Sequence, residues 1–290
     1  MFKNMKIIVP ATSANLGCGF DSIGVALNLY LELEVLERTD KWVIVSDFGA
    51  GIPKDETNLI VKTALSLAPN LPPRRIVMKS NVPLTRGLGS SSTAIVGGIL
   101  LANELAHLEL SKHEMLNFAS KMEGHPDNVA PAILGGLVVG CFQNGKLDYA
   151  PMAAPDCAYI AFVPNYSLPT AVSRGVLPKT IDFPEAVTAS AISNVMVASL
   201  TTGNLKLAGK LMEEDRFHEK YRDALVPELE EVRKISHECG AYACVLSGAG
   251  PTILVLSPKE NAADICEKLS SFDAQVIELQ ADAQGARIEL

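Results

Sequence analysis

The chain has 290 residues, of which 48% are hydrophobic and 20% charged, and a formal net charge of -8 at pH 7. That apolar share supports a sizeable core, in one large domain or two smaller ones, and leaves little room for disorder. The acidic balance argues against a nucleic-acid partner, no N-terminal stretch reads as a signal peptide, and the longest apolar runs, such as Ala94 to Leu101, are too short to span a membrane.

Lys6 to Val9 reads as a short strand, followed by a polar, glycine-containing loop over residues 10 to 22. Leu27 to Leu36 alternates apolar and polar residues, the period of a half-buried strand, and Trp42 to Ser46 is expected to pair with it. Asn58 to Leu67 reads as a helix and Arg75 to Lys79 as a strand. After a loop at 82 to 90, Ser91 to Leu105 is rich in small and aliphatic residues and reads as a buried helix. Ser111 to Glu123 opens with a serine and a glutamate three residues on, the signature of a capping box. Pro126 is expected to start a short helix that Gly135-Gly136 ends. Leu137 to Phe142 then reads as a strand leading into an Asn144-Gly145 hairpin turn.

A second half starts near residue 155. Tyr159 to Val163 reads as a strand, and residues 184 to 239 as almost wholly helical. Tyr242 to Leu246 and Thr252 to Leu256 read as strands around a Ser-Gly-Ala-Gly turn. Ala262 to Leu269 reads as a helix and Gln275 to Leu279 as a last strand. Two interlocked α+β halves, 1–155 and 156–290, sharing a cleft are the simplest architecture. The six cysteines show no Cys-x-x-Cys pair and no zinc-ligand spacing. Buried reduced thiols and a cytoplasmic location follow as expectations.

The segment Pro83-Leu84-Thr85-Arg86-Gly87-Leu88-Gly89-Ser90-Ser91-Ser92-Thr93 carries the chemistry. Its two glycines let backbone N–H groups approach an anion. Its serines sit where a helix should begin, where free N–H groups and the helix dipole favour phosphate, and their hydroxyls suit phosphate oxygens or magnesium. On spacing alone, an ordinary glycine turn with a serine-rich cap fits equally well. A Walker loop needs Gly-Lys-Ser or Gly-Lys-Thr, which the chain lacks. A dinucleotide fingerprint wants a third glycine where Ser92 stands.

Three further motifs accompany that loop, in order: Pro10-Ala11-Thr12-Ser13-Ala14-Asn15-Leu16-Gly17-Cys18-Gly19-Phe20-Asp21, His125-Pro126-Asp127-Asn128-Val129-Ala130-Pro131, and Leu246-Ser247-Gly248-Ala249-Gly250-Pro251-Thr252. Together the four resemble the GHMP kinases over essentially the whole chain. The Ser-Ala-Asn-Leu-Gly-x-Gly-Phe-Asp and Asp-Asn-Val-Ala-Pro runs are similar to the forms found in the homoserine kinase branch. The resemblance implies a two-domain α+β fold. Its N-terminal half is like the second domain of a small-subunit ribosomal protein, and its C-terminal half is ferredoxin-like. It also implies transfer of the ATP γ-phosphate to the side-chain hydroxyl of L-homoserine, in threonine biosynthesis, and a possible homodimer.

The resemblance distributes the roles. Pro83 to Thr93 binds the ATP phosphates, and Ser91 and Glu123 hold Mg²⁺, with Ser90 and Ser92 close by. Glu123 directly precedes Gly124-His125, where other members of the branch carry a longer insert. Arg174 and Arg222 match the arginines that bind the acceptor carboxylate, a bidentate task. Asn15 and Asp21 match residues holding the hydroxyl and amino end, and His125 and Asn128 lie in the motif lining the same pocket. Without the resemblance, surface ion pairs would be the simpler reading of the arginines. The general base stays open between Asp127, Asp21 and none. A non-catalytic relative would be expected to lose the magnesium ligands or loop glycines, whereas Gly87, Gly89, Ser91 and Glu123 are all present.

Overall fold

A computed structural model describes residues 5–48 and 51–289. Two sheets organise them. The first contains β1 (Met5–Ala14), β2 (Ile23–Arg38), β3 (Val43–Val45), β4 (Arg74–Ser80), β5 (Leu137–Gln143), β6 (Lys146–Met152) and β11 (Arg287–Glu289), the central order being β11-β1-β2-β4-β3. β5 pairs with the other end of β2, and β6 pairs with β5. The second is antiparallel, in the order β10 (Ala274–Leu279), β7 (Ala158–Pro164), β9 (Ile253–Ser257), β8 (Ala243–Leu246). β1 to β6 thus lie in one sheet and β7 to β10 in the other, and β11 returns to pair with β1 through Lys6↔Glu289.

Helices α1 (Leu59–Leu67), α2 (Ser90–Leu105), α3 (Lys112–Glu123) and α4 (Val129–Leu134) accompany the first sheet. With the second sheet go α5 (Thr170–Gly175), α6 (Phe183–Thr201), α7 (Leu205–Met212), α8 (Glu219–Arg222), α9 (Leu229–Glu238) and α10 (Ala262–Leu269). Among the described residues no helix is long and apolar enough to cross a membrane.

Local sequence explains several boundaries. The Ser111 hydroxyl accepts from the Glu114 N–H, and the Glu114 carboxylate accepts from the Ser111 N–H, so the capping box at α3 forms in full. Asn58 caps α1 by accepting from the Ile60 N–H. Asn144 and Gly145 have φ of 52° and 75°, the two positive values that a tight turn between β5 and β6 requires.

Other segments differ from the sequence expectation. Strand β1 does not stop at Val9 but runs to Ala14, through the expected loop, and is buried along nearly its whole length. Its polar residues Thr12 and Ser13 are buried. Thr12 Oγ1 donates to Asn128 Oδ1 at 2.8 Å, and Ser13 and Ser247 share a hydroxyl hydrogen bond of 2.8 Å. Pro10, which lacks an N–H, sits at a register shift against β2. Strand β3 pairs in parallel with β4 rather than with β2, whose two edges are taken by β1 and β4. Pro126 precedes α4 by a turn, its carbonyl accepting from the Ala130 N–H, and Asn128 occupies the cap position. The helical stretch from 184 to 239 is broken around 202–204, 213–218 and 226–228, and α5, β6 and β11 were not foreseen. The six cysteines are free, but only Cys18, Cys157 and Cys244 are buried; Cys141 is exposed.

Three apolar clusters fill the interior. One packs Ile7, Leu33 and Ile76 of the first sheet against Ile95, Ile99 and Leu116 of its helices. Another packs Phe162 and Ile253 of the second sheet against Val232 and Ile265. The third joins the halves, bringing Leu16, Leu27 and Leu88 against Tyr159, Met196 and Leu254. Each such side chain contributes about 1.5–3 kcal/mol on burial. The halves therefore hold a fixed relation, and the cleft lies where they meet.

Candidate active site

Six chain segments converge on a cavity of about 150 Å³ at the junction of the halves. The loop that includes Thr85 to Gly89 forms one wall. Gly89 ends the loop with φ 70°, and α2 begins at Ser90, so the first N–H groups of a buried sixteen-residue helix open toward the cavity. A Cβ on Gly89 would lie 2.1 Å from Thr12 Oγ1, so only glycine lets the loop sit this close to β1. The Ser-Gly-Ala-Gly turn braces the loop from the other half. Ser247 Oγ donates to the Gly87 carbonyl at 2.6 Å, and the Thr252 N–H donates to the Arg86 carbonyl at 3.1 Å.

The three loop serines have different surroundings. Ser91 is exposed at the cavity. Ser90 Oγ accepts from the Thr85 N–H at 3.3 Å. Ser92 is buried and lowers the pKa of the neighbouring Glu123 carboxyl. The side chains of Arg86 and Leu88 turn away from the cavity. Arg86 donates to the carbonyls of Pro164, Asn165 and Tyr166, and Leu88 is wholly buried. These two hold the loop against the second half.

The opposite wall concentrates charge. Arg174 on α5 grips Asp21 with two hydrogen bonds, Nη2 to Oδ1 at 2.6 Å and Nη1 to Oδ2 at 3.1 Å. Asp127 is 2% exposed and hydrogen-bonded to His125 Nδ1. One ligand atom from each of Asp21, His125 and Asp127 lies within 4.8 Å of the others. Burial works against charge on His125, but the hydrogen bond and charge of Asp127 outweigh it and raise the imidazole pKa. Burial raises the pKa of Glu123, and Asp127 adds to this, while His125 and Ser92 pull it back. Arg222 is buried, and its pKa is pushed down to about 10 by desolvation and by the neighbouring charge of Arg174.

Asn15 links these walls. Its Nδ2 donates to the Gly248 carbonyl at 2.9 Å, and its Oδ1 accepts from the Asp21 N–H at 3.1 Å. Both Asn15 and Asp21 have positive φ, 74° and 54°, and the cross-chain bonds hold that conformation. Beside the phosphate loop lies a second cavity, about 420 Å³, lined by apolar groups that include Leu31, Phe48, Ile52, Leu59 and Met78. It shares Thr85, Ser90 and Ser91 with the first.

Residues 58–136 match the model of the GHMP kinase N-terminal domain, and residues 196–275 that of the GHMP kinase C-terminal domain. A homoserine kinase from Listeria innocua is 53% identical over 98% of this chain and 99% of its own length. One from Streptococcus sanguinis is 52% identical over 98% of this chain and all of its own. The chain belongs to the homoserine kinase branch of the GHMP kinases. The solved structure of a Listeria monocytogenes protein assigned to the same branch superposes with a TM-score of 0.88, at 47% identity over 99% of both chains.

The structure brings together on the first cavity every residue that the GHMP motifs singled out for the acceptor or the metal: Asn15, Asp21, Glu123, His125, Asp127, Asn128, Arg174, Arg222 and Ser91. Glu123 and the loop serines present hard oxygen donors to one space, and Glu123 sits near a second carboxylate, Asp127. This donor set fits Mg²⁺, which takes one or two carboxylates and keeps several waters.

Some lining was not anticipated. The ring of Phe20 lies against both arginines, 5.6 Å from the Arg174 guanidinium and 5.5 Å from that of Arg222. Phe20 stands inside the first GHMP motif, and its place beside Asp21 was the available signal. The second cavity had none, because its lining comes from six separate elements and loops.

Proposed function

We propose that this GHMP kinase transfers the γ-phosphoryl group of ATP to the side-chain hydroxyl of L-homoserine. The observation that carries the reading is the charge pattern beside the phosphate loop: Asp21 for an ammonium, Arg174 and Arg222 for a carboxylate, all on one cavity with Gly87 and Gly89. A zwitterionic alcohol fits that pattern. An acceptor without an α-amino group would leave Asp21 without its match. The names of the full-length relatives support the same acceptor.

In this reading ATP lies across the two adjoining cavities. Its base enters the apolar one, and its phosphates lie along Gly87 to Ser92 at the start of α2. Ser91 and Glu123 would hold Mg²⁺, whose contribution is to neutralise charge on the phosphates. Residues 1–155 thus supply the nucleotide side, and residues 156–290 supply the arginines.

The protein's own part is positioning. Both candidate bases are already paired, Asp127 with His125 and Asp21 with Arg174. With both carboxylates already engaged, the geometry supports a reaction run by alignment and electrostatics. Homoserine enters by taking over the Asp21–Arg174 pair, its ammonium on one partner and its carboxylate on the other.

The test is ADP release by purified protein with ATP, magnesium and L-homoserine. Turnover is expected with homoserine and not with mevalonate. Arg174→Gln is expected to raise the homoserine KM at least tenfold and leave the ATP KM within twofold. Turnover of another alcohol but not of homoserine would refute the acceptor assignment.

A further inference from the structure

His218 lies at the N-terminal end of α8, four residues before Arg222, and its side chain is completely buried. Its two ring nitrogens have different partners. Arg222 Nη1 approaches Nδ1 at 3.1 Å, and Nε2 faces the Gly17 carbonyl at 2.9 Å. A guanidinium only donates and a carbonyl only accepts. The partners therefore fix the ring as neutral, with its proton on Nε2 and a lone pair on Nδ1.

The surroundings keep it so. Asp215 accepts from the backbone N–H groups of Phe217, His218 and Glu219, which anchors the turn carrying the ring. Phe20 stacks on the ring at 5.1 Å. Burial lowers the imidazole pKa and Arg222 lowers it further, against the opposing pull of Asp215 and Asp21.

The consequence falls on Arg222. Its Nε donates to the Ser173 carbonyl at 3.2 Å, and its Nη1 donates to the Gly248 carbonyl at 3.0 Å as well as to His218. Three of its five N–H donors are thus committed to fixed acceptors. The two on Nη2 are left for a ligand in the cavity that Arg222 lines. The imidazole is the only side chain among those three acceptors.

We propose that His218, as the neutral Nε2–H tautomer, is a positioning residue that aims the Arg222 guanidinium at the carboxylate of the acceptor. This rests on the acceptor reading above.

Two substitutions divide the functions of the ring. His218→Asn places an amide oxygen near the position of Nδ1, so Arg222 keeps its acceptor while the Gly17 contact is lost. His218→Gln reaches the position of Nε2 and leaves Arg222 without its acceptor. The Gln variant is expected to raise the homoserine KM about tenfold or more and leave the ATP KM within about twofold. The Asn variant is expected to stay within about threefold of wild type for both substrates. Equal homoserine KM values in the two variants, or an ATP KM that rises in parallel, would overturn the proposal. A wild-type protein that fails to turn over homoserine would instead reject the acceptor reading and take this inference with it. Nitrogen-15 NMR of the labelled wild-type protein at pH 7 needs no variant to fold. A neutral ring with its proton on Nε2 is expected for the buried histidine, and a charged ring or a proton on Nδ1 would refute the assignment.

Discussion

Gly89→Ala puts the closest approach in the cleft to a direct test. Gly89 holds φ 70° at the start of α2, and an added Cβ would meet Thr12 Oγ1 at 2.1 Å and Asn128 Oδ1 at 3.2 Å. The left-handed backbone alone costs an alanine about 1 kcal/mol. Moving Thr12 aside breaks its 2.8 Å bond to Asn128, worth about 1 kcal/mol, and forces a shift in a fully buried strand residue, about 1–3 kcal/mol more. The sum is about 3–5 kcal/mol, which lowers Tm by about 10 °C. Gly145→Ala is the control. Gly145 has φ 75° but nothing within 4 Å of its added Cβ, so it bears only the backbone cost of about 1 kcal/mol. Differential scanning fluorimetry of both variants, with KM for ATP measured alongside, separates the two costs. Gly89→Ala is expected to raise the ATP KM at least tenfold, because its displacement tilts the N–H groups at the start of α2, and Gly145→Ala to leave it unchanged. Adding Thr12→Ala to Gly89→Ala is expected to recover part of the lost Tm, since the two side chains compete for one space. Equal melting temperatures for Gly89→Ala and Gly145→Ala, with an unchanged ATP KM, would refute the packing argument.

Two further outcomes follow from the charged wall. Asp127→Asn keeps an oxygen for His125 to bond, so kcat is expected to fall by about tenfold; a loss of a hundredfold or more in steady-state kinetics would establish Asp127 as a general base. The folded state raises the His125 pKa, so the stability it contributes is complete below the ordinary imidazole value of about 6.5 and is lost as pH rises through the raised one. Urea melts should therefore show wild type losing its advantage over His125→Gln as pH rises above about 6.5 and through the raised value, with His218 present in both proteins and cancelling; a constant difference would contradict the His125–Asp127 pairing.

Signals confined to a few neighbouring residues were legible in the sequence. Ser111 and Glu114 announce α3, Asn144-Gly145 announces a hairpin, and the serine run after Gly89 announces the start of α2, because each acts within one turn of chain. What needed a distant partner was not legible. Thr12 and Ser13 read as loop residues because they are polar, and only Asn128 and Ser247 across the cleft explain why polar residues are buried there. β3 was assigned the wrong neighbour because strand period carries no information about which edge is vacant. The acceptor-site residues came from motif resemblance, since a lone arginine looks the same in a surface ion pair as in a carboxylate clamp. His218 carries no local mark at all. Its role is visible only once Gly17 and Arg222 stand on either side of it.

The pairing of β11 with β1 has a consequence for synthesis. β1 finds one of its two neighbours only in residues 287–289, made well after the other strands of the first sheet. Once β6 has emerged, completion of that sheet waits on the order of ten seconds or more for β11 to follow. During that interval one edge of β1, with the unmet hydrogen-bonding groups of Lys6 to Ile8, stands open to strands of other nascent chains. Arg287 to Glu289 therefore works as a clasp on that edge of β1.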